Sequence, residues 1–140
     1  MALDVGTKRI GVALADPTET FALPIAVVER TTLHADLARI DELLREYSAR
    51  ELVVGDPIRL SGERGPAAEQ IDRFVEQLQK IFDGTIHRVD ERLTTAQAQK
   101  TLIAADVSRA KRKNVIDKMA AALILETFLA LRRRSGQADE

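Results

Sequence analysis

The amino-acid sequence contains no cysteine and no tryptophan, and only one tyrosine and four phenylalanines. Without cysteine, the chain forms no disulfide bond and no thiolate metal site. Because aromatic rings are so few, platforms for stacking nucleotide bases are scarce, and a nucleic acid would be recognised through its backbone and shape. The net charge of −1, taken alone, argues against a nucleic-acid partner.

Long apolar segments are also missing from the chain. No apolar run reaches about 18 residues, the length that spans a bilayer, and no signal-peptide pattern precedes Asp4. We therefore expect a cytoplasmic protein with no membrane partner. The 140 residues, 45% hydrophobic and 31% charged, predict a single globular domain over residues 1–140.

The charged residues are unevenly distributed along the chain. Residues 88–118 carry eight basic side chains but only four acidic ones. A basic face is compatible with a phosphate-bearing partner, whereas a solvated run of charges accounts for the same pattern without any partner. Composition leaves both interpretations open.

Hydrophobic periodicity predicts an α/β fold. Three opening strands joined by hairpins are followed by helices that alternate with two further strands. The predicted strands are residues 2–5, 8–15, 22–28, 51–55 and 85–89, and the predicted helices are residues 33–48 and a segment from 66 to about 83. This order predicts a mixed five-stranded sheet with helices packed on it.

The C-terminal third is predicted to be helical with one basic loop. Thr94-Thr95-Ala96-Gln97 has the spacing of a capping box, which opens a helix that continues to about residue 105. Residues 106–113 are predicted to form a basic loop. Asn114 then caps a last helix over residues 115–133.

One carboxylate, Asp4, interrupts the apolar pattern of residues 3–15. An unpaired carboxylate costs several kcal/mol to bury, so such an acid is usually neutralised, paired or bound to a metal. Gly6 follows in the predicted turn, where a backbone without a side chain can come close to a ligand. A metal or phosphate site is therefore one interpretation, and pairing with Lys8 or Arg9 across the turn is the other.

Two further acids could converge with Asp4 on one point. Glu91 follows the strand 85–89, and Asp117 lies in the first turn of the predicted last helix. Carboxylates suit hard cations such as Mg²⁺ and Mn²⁺, and two such ions about 4 Å apart can hold the attacking water and the leaving oxygen of a phosphodiester.

Each of these two acids also has a simpler interpretation. Glu91 could be a surface residue bracketed by Arg88 and Arg92, and Asp117 could do no more than favour the positive end of a helix. Asp56 is interpreted as a turn residue that could still join the site, because it ends a predicted central strand.

Four segments, in this order and at this spacing, resemble the YqgF/RuvX family, which is related to the Holliday junction resolvases and has an RNase H-like fold. They are LDVGTKRIGVA at residues 3–13, VVGDP at 53–57, DERLTT at 90–95 and DKMAA at 117–121. The first and third are specific, and the order and spacing of the four extend over nearly the whole chain. The chain departs from the family pattern at Asp56, where an apolar residue is more usual, and in having only three residues before Asp4.

The resemblance implies a sheet in the order 3-2-1-4-5, with the first three strands antiparallel, and a nuclease that depends on a divalent metal. It marks Asp4, Glu91 and Asp117 as metal ligands. Two activities are attributed to the family, namely trimming the 5′ end of pre-16S ribosomal RNA and cutting branched DNA such as Holliday junctions. The expected partner is therefore a nucleic acid, bound by a monomer or a homodimer.

These expectations combine into one mechanistic hypothesis. Asp4 bridges two Mg²⁺ or Mn²⁺ ions, Glu91 and Asp117 complete their coordination, and a metal-bound water attacks the phosphorus in line. Basic side chains hold the flanking phosphates without reading sequence. The residues expected to do so are Lys8, Arg9, Arg92, Arg109, Lys111, Arg112 and Lys113.

Other functions remain alternatives. The chain could be a Holliday junction resolvase in recombination and repair alone, or a catalytically silent nucleic-acid-binding factor in ribosome assembly. The segment Asp4-Val5-Gly6-Thr7 also resembles the phosphate loop of sugar kinases and actin. Those proteins place ATP between two such domains, whereas 140 residues supply one.

Overall fold

The computed structural model describes residues 1–59, 61–94, 105 and 108–138, and for residues 112–118, 137 and 138 it describes the backbone alone. The elements in chain order are strands β1 (Ala2–Val5), β2 (Arg9–Ala15) and β3 (Ala22–Glu29), helix α1 (Leu33–Glu46), strand β4 (Glu51–Asp56), helix α2 (Pro66–Gln79), strand β5 (Thr85–Asp90) and helix α3 (Arg109–Ala138). Residues 91–94 are also helical. Each predicted strand is confirmed to within one residue at either end.

The strands form one mixed sheet in the order β3-β2-β1-β4-β5. The pairs β1–β2 and β2–β3 are antiparallel, and the pairs β1–β4 and β4–β5 are parallel. The expected fold class and strand order are therefore confirmed. Because β1, β4 and β5 run in the same direction, their carboxyl ends meet at one edge of the sheet, where open α/β sheets usually bind ligands.

Alternate residues along each strand face opposite sides of the sheet. On one side, apolar residues such as Leu3 and Val54 form a core with α1 and α2. On the other side, small residues such as Ala2 and Ala13 pack against Ala121 and Ala122 of α3. The lack of bulk on both surfaces lets α3 lie close to the sheet.

Local signals explain where α1 and α2 begin. The side chain of Thr32 accepts a hydrogen bond from the backbone N–H of Ala35 and so caps α1. Pro66 occupies the first turn of α2, where its missing N–H leaves no hydrogen bond unmade. The predicted end of α2 near residue 83 is wrong, since the helix ends at Gln79.

The C-terminal predictions need correction. Thr94 does not open a helix, because residues 91–94 are already helical. The predicted basic loop is wrong from Arg109 onward, where α3 begins, and Asn114 lies inside this helix instead of capping it. Residues 109–113 are arginine, alanine and lysine, all strong helix formers, and their propensity outweighs the capping preference of one asparagine. Of the rest of the helix predicted up to residue 105, residues 95–104 lie outside the described residues, and residue 105 is in a turn.

A kink divides α3 at Met119, whose φ of −112° and ψ of 16° are not helical. Asp117 was predicted to lie in the first turn of a helix. It lies instead in the turn before this kink, eight residues after α3 begins. Its interpretation as an acid at a helix N-terminus is wrong. Within the described ranges, no helix is both long and apolar enough to cross a membrane.

Candidate active site

Asp4 lies near the carboxyl end of β1, on the sheet face covered by α3. In the β1–β2 pairing it stands opposite Gly11. A Cβ atom placed at Gly11 would lie 3.8 Å from the Cβ of Asp4 and 3.7 Å from the Cβ of Ala121 on α3. The carboxylate is therefore held in the layer between sheet and helix, where it is only partly exposed.

Glu91 reaches the same point from the end of β5. The pKa of the Glu91 carboxyl is raised from 4.5 to about 7, most of all by burial and then by the charge of Asp4 and a side-chain hydrogen bond with Asp4. The structure thus brings together two of the three predicted acids, from distant parts of the sequence. Near neutral pH the Glu91 carboxyl is therefore only partly ionised in the metal-free protein.

This pair has the chemistry of a site for a hard divalent cation. Carboxylate oxygens are the ligands that Mg²⁺ and Mn²⁺ prefer, and a bound cation would offset both the burial and the charge of Asp4, which together raise the pKa of Glu91. Among the side chains that the structure describes, no group of three His, Cys, Asp or Glu residues could hold a metal. The side chain of Asp117 lies outside that set.

Comparison with known proteins now decides the family. The family model described as "RuvX: Holliday junction resolvase" matches residues 1–131. The chain belongs to the RuvX family. It is accordingly a nuclease, as the sequence predicted.

Curated relatives agree with this assignment. A protein of Desulforamulus reducens named "Putative pre-16S rRNA nuclease" is 46% identical over 129 residues, which cover 92% of this chain and 94% of the relative. One of Moorella thermoacetica with the same name is 47% identical over 129 residues, with 92% of each chain covered. A solved Fowlpox virus resolvase in complex with its substrate Holliday junction DNA aligns with a TM-score of 0.43 and 13% identity, over 96% of this chain and 95% of the other.

Asp56 does not join the acid pair of this RuvX-family nuclease. It is 7% exposed, and Arg64 Nη1 and Arg88 Nη2 donate to its two oxygens over 2.7 and 3.0 Å. Arg88 Nη2 also lies 3.0 Å from an Asp72 oxygen on α2. Asp56 is therefore the centre of an ion-pair network that joins β4, β5 and α2 to the loop before α2, and the turn-residue interpretation is wrong.

Arg92, which was predicted to hold a phosphate, forms an ion pair with Asp90, two residues before it. Its Nη2 and Nε donate to an Asp90 oxygen over 2.6 and 2.9 Å, and these bonds lower the pKa of Asp90. Arg92 Nη1 donates to the carbonyl of Arg59 over 3.4 Å, which connects the same loop to the site. A phosphate would have to share Arg92 with Asp90.

The other predicted phosphate-binding residues occupy two exposed places. Lys8 and Arg9 lie at the β1–β2 turn, where Arg9 Nε pairs with Glu29 over 2.8 Å. Arg109 and Lys111 are exposed at the start of α3, and the side chains of Arg112 and Lys113 lie outside the described set. Contact of all these residues with nucleic acid stays a prediction.

The raised pKa of Glu91 predicts how the stability of the metal-free protein depends on pH. The carboxyl titrates near 4.5 when unfolded and near 7 when folded, so the folded state binds more protons between these values. The resulting stabilisation is complete below pH 4.5 and is lost as the pH rises through about 7. We expect a loss of about 2 kcal/mol in the free energy of unfolding, after allowance for solvent screening.

Urea denaturation in EDTA at about pH 5 and about pH 8 measures this dependence. Glu91→Gln is the reference, because it lacks the titrating group but keeps the shape of the side chain. The free energy of unfolding should fall with pH more steeply for the unchanged protein than for the variant. Equal slopes would contradict the prediction.

Proposed function

We propose that this nuclease hydrolyses phosphodiester bonds with Mg²⁺ or Mn²⁺ held by Asp4, Glu91 and Asp117. The observation that supports the proposal is the contact between Asp4 and Glu91, since burial and the charge of Asp4 both disfavour ionisation of Glu91 without a cation. Asp117 is included because the family pattern marks it.

The chain's own residues provide a defined environment for this chemistry. Asp4 and Glu91 supply carboxylate oxygens at the carboxyl ends of β1 and β5, and Glu91 would have to be ionised to hold a cation. The α3 residue Ile124 lies against the same place and keeps water away from one side. One or two bound cations would supply an activated water and would stabilise the departing oxygen of the phosphodiester.

The proposed substrate is the 5′ end of pre-16S ribosomal RNA, with branched DNA as the second candidate. The names of the curated relatives support the first, and the description of the family model supports the second. The exposed cations Lys8, Arg9, Arg109 and Lys111 would hold phosphates beside the site. A role in ribosomal RNA processing also supports the expected location in the cytoplasm, and we propose that residues 1–140 act as one domain.

Cleavage of a pre-ribosomal RNA 5′ leader and of an immobile four-way DNA junction, each with Mg²⁺, Mn²⁺ or EDTA, tests the proposal. We expect cleavage of the RNA leader with either metal and none in EDTA. Cleavage of the junction alone would identify a resolvase instead. Binding without cleavage of either substrate would identify a catalytically silent assembly factor.

The oligomeric state separates the two candidate substrates further. Symmetric cuts in a four-way junction require two active sites related by a two-fold axis, so a homodimer would favour that role. A monomer is sufficient for trimming a single strand. Sedimentation velocity with and without each nucleic acid measures the state directly.

A further inference from the structure

Glu91 has to cross one strand to reach Asp4. The sheet order places β4 between β1 and β5, and adjacent strands lie about 4.8 Å apart, so the two backbones are separated by roughly 10 Å. Leu3 pairs with Val54 and Gly55 pairs with Val89. This register places Gly55 beside Asp4, in the path of the Glu91 side chain.

The space above Gly55 is already occupied by the Glu91 side chain. A Cβ atom at Gly55 would lie 2.6 Å from Glu91 Oε1 and 3.1 Å from Glu91 Cγ. It would also lie 2.6 Å from Ile124 Cδ1, which closes the other side. Among the described glycines only Gly62 has a positive φ, so Gly55 is needed for space and not for an unusual backbone conformation.

We infer that Gly55 is a positioning residue of the active site: its missing side chain leaves the passage through which the Glu91 carboxyl crosses β4 to meet Asp4. The expected effect on cation binding rests on the proposed function. The contact between Asp4 and Glu91 is independent of that function, because it can be measured without any metal.

Gly11 provides a matched control on the other side of Asp4. It faces α3 from β2, as Gly55 does from β4. A Cβ atom there would make only ordinary contacts, at 3.7 Å from Ala121 and 3.8 Å from Asp4. Gly11→Ala therefore adds the same methyl group next to the same acid without entering the path of Glu91.

The first experiment measures the contact itself in metal-free protein. The carbon resonance of the Glu91 carboxyl is recorded by NMR with and without Asp4→Asn, in the unchanged, Gly11→Ala and Gly55→Ala backgrounds. We expect Asp4→Asn to shift the resonance in the first two backgrounds and not in the third. An equal shift in all three would overturn the inference, whatever the outcome for metal or activity.

The second experiment measures Mn²⁺ affinity by calorimetry together with urea stability. Gly55→Ala should weaken Mn²⁺ binding at least about tenfold, in the range seen when groups that orient metal ligands are removed. Gly11→Ala should stay within about twofold of the unchanged protein.

A double variant separates positioning of Glu91 from simple crowding of the core. Ile124→Val removes the Cδ1 atom that a Cβ at Gly55 would meet, but leaves the clash with Glu91. Compared with Gly55→Ala alone, the double variant Gly55→Ala/Ile124→Val should have a higher free energy of unfolding but the same weakened Mn²⁺ affinity. Recovery of both would overturn the inference, and absence of Mn²⁺ binding by the unchanged protein would count against the proposed function alone.

Discussion

Replacing Asp4 by asparagine is expected to reduce metal-dependent cleavage at least about 1,000-fold, which corresponds to about 4 kcal/mol of transition-state stabilisation. Asparagine keeps the size of the side chain but removes the charge that would bind the cation. Nucleic-acid binding should change little, since the exposed cations at the β1–β2 turn and at the start of α3 remain. Single-turnover cleavage and filter binding of the same RNA leader measure the two effects separately.

The control for this variant is Asp83→Asn, which alters an exposed acid in the connection before β5, at the opposite edge of the sheet. It should leave cleavage unchanged. Mn²⁺ should raise the melting temperature of the control and of the unchanged protein, but not that of Asp4→Asn. Full cleavage by Asp4→Asn would remove the proposed role of this acid.

Glu91→Gln is expected to lower cleavage at least about 100-fold and, at the same time, to stabilise the metal-free protein near pH 8. Near this pH the unchanged side chain is mostly ionised in a half-buried position beside another carboxylate, which costs free energy. Glutamine is neutral and can donate a hydrogen bond to Asp4. We expect a gain of about 1 to 2 kcal/mol in the free energy of unfolding.

Glu46→Gln, at the exposed end of α1, is the matched control, and neither its cleavage rate nor its stability should change appreciably. The opposite signs of the two effects of Glu91→Gln distinguish a functional acid from a structural one. Lower stability together with lower activity would indicate that Glu91 chiefly supports the fold.

Much of the fold was predictable because its signals are local. The alternation of apolar residues in β2, and the helical spacing of Ile71, Phe74 and Leu78 in α2, are set by which face of each element is buried. The three opening strands lie next to one another in the sheet because short connections favour hairpins. The same reasoning failed in the C-terminal third, where Asn114 looked like a cap but lies inside a helix of strong helix formers.

The candidate site was predictable in part. Asp4 stood out because a carboxylate is unexpected in an apolar strand, and Glu91 was marked by the resemblance to the family. Gly55 was not singled out, although a glycine near the end of an apolar strand signals a close approach by another group. The ion-pair network around Asp56 was missed because its other members come from separate parts of the chain. Arg64 and Arg88 donate to Asp56, and Arg88 also donates to Asp72.

By itself, the sequence determined the type and order of most strands and helices, the absence of thiol chemistry, and the presence of an acid where an apolar residue would be expected. Only the tertiary structure decided that Asp4 contacts Glu91 across Gly55, that two arginines donate hydrogen bonds to Asp56, and that Arg92 forms an ion pair with Asp90. The reason is physical. Parallel pairing of β1, β4 and β5 joins residues far apart in the chain, and no local periodicity records which side chains then share one space.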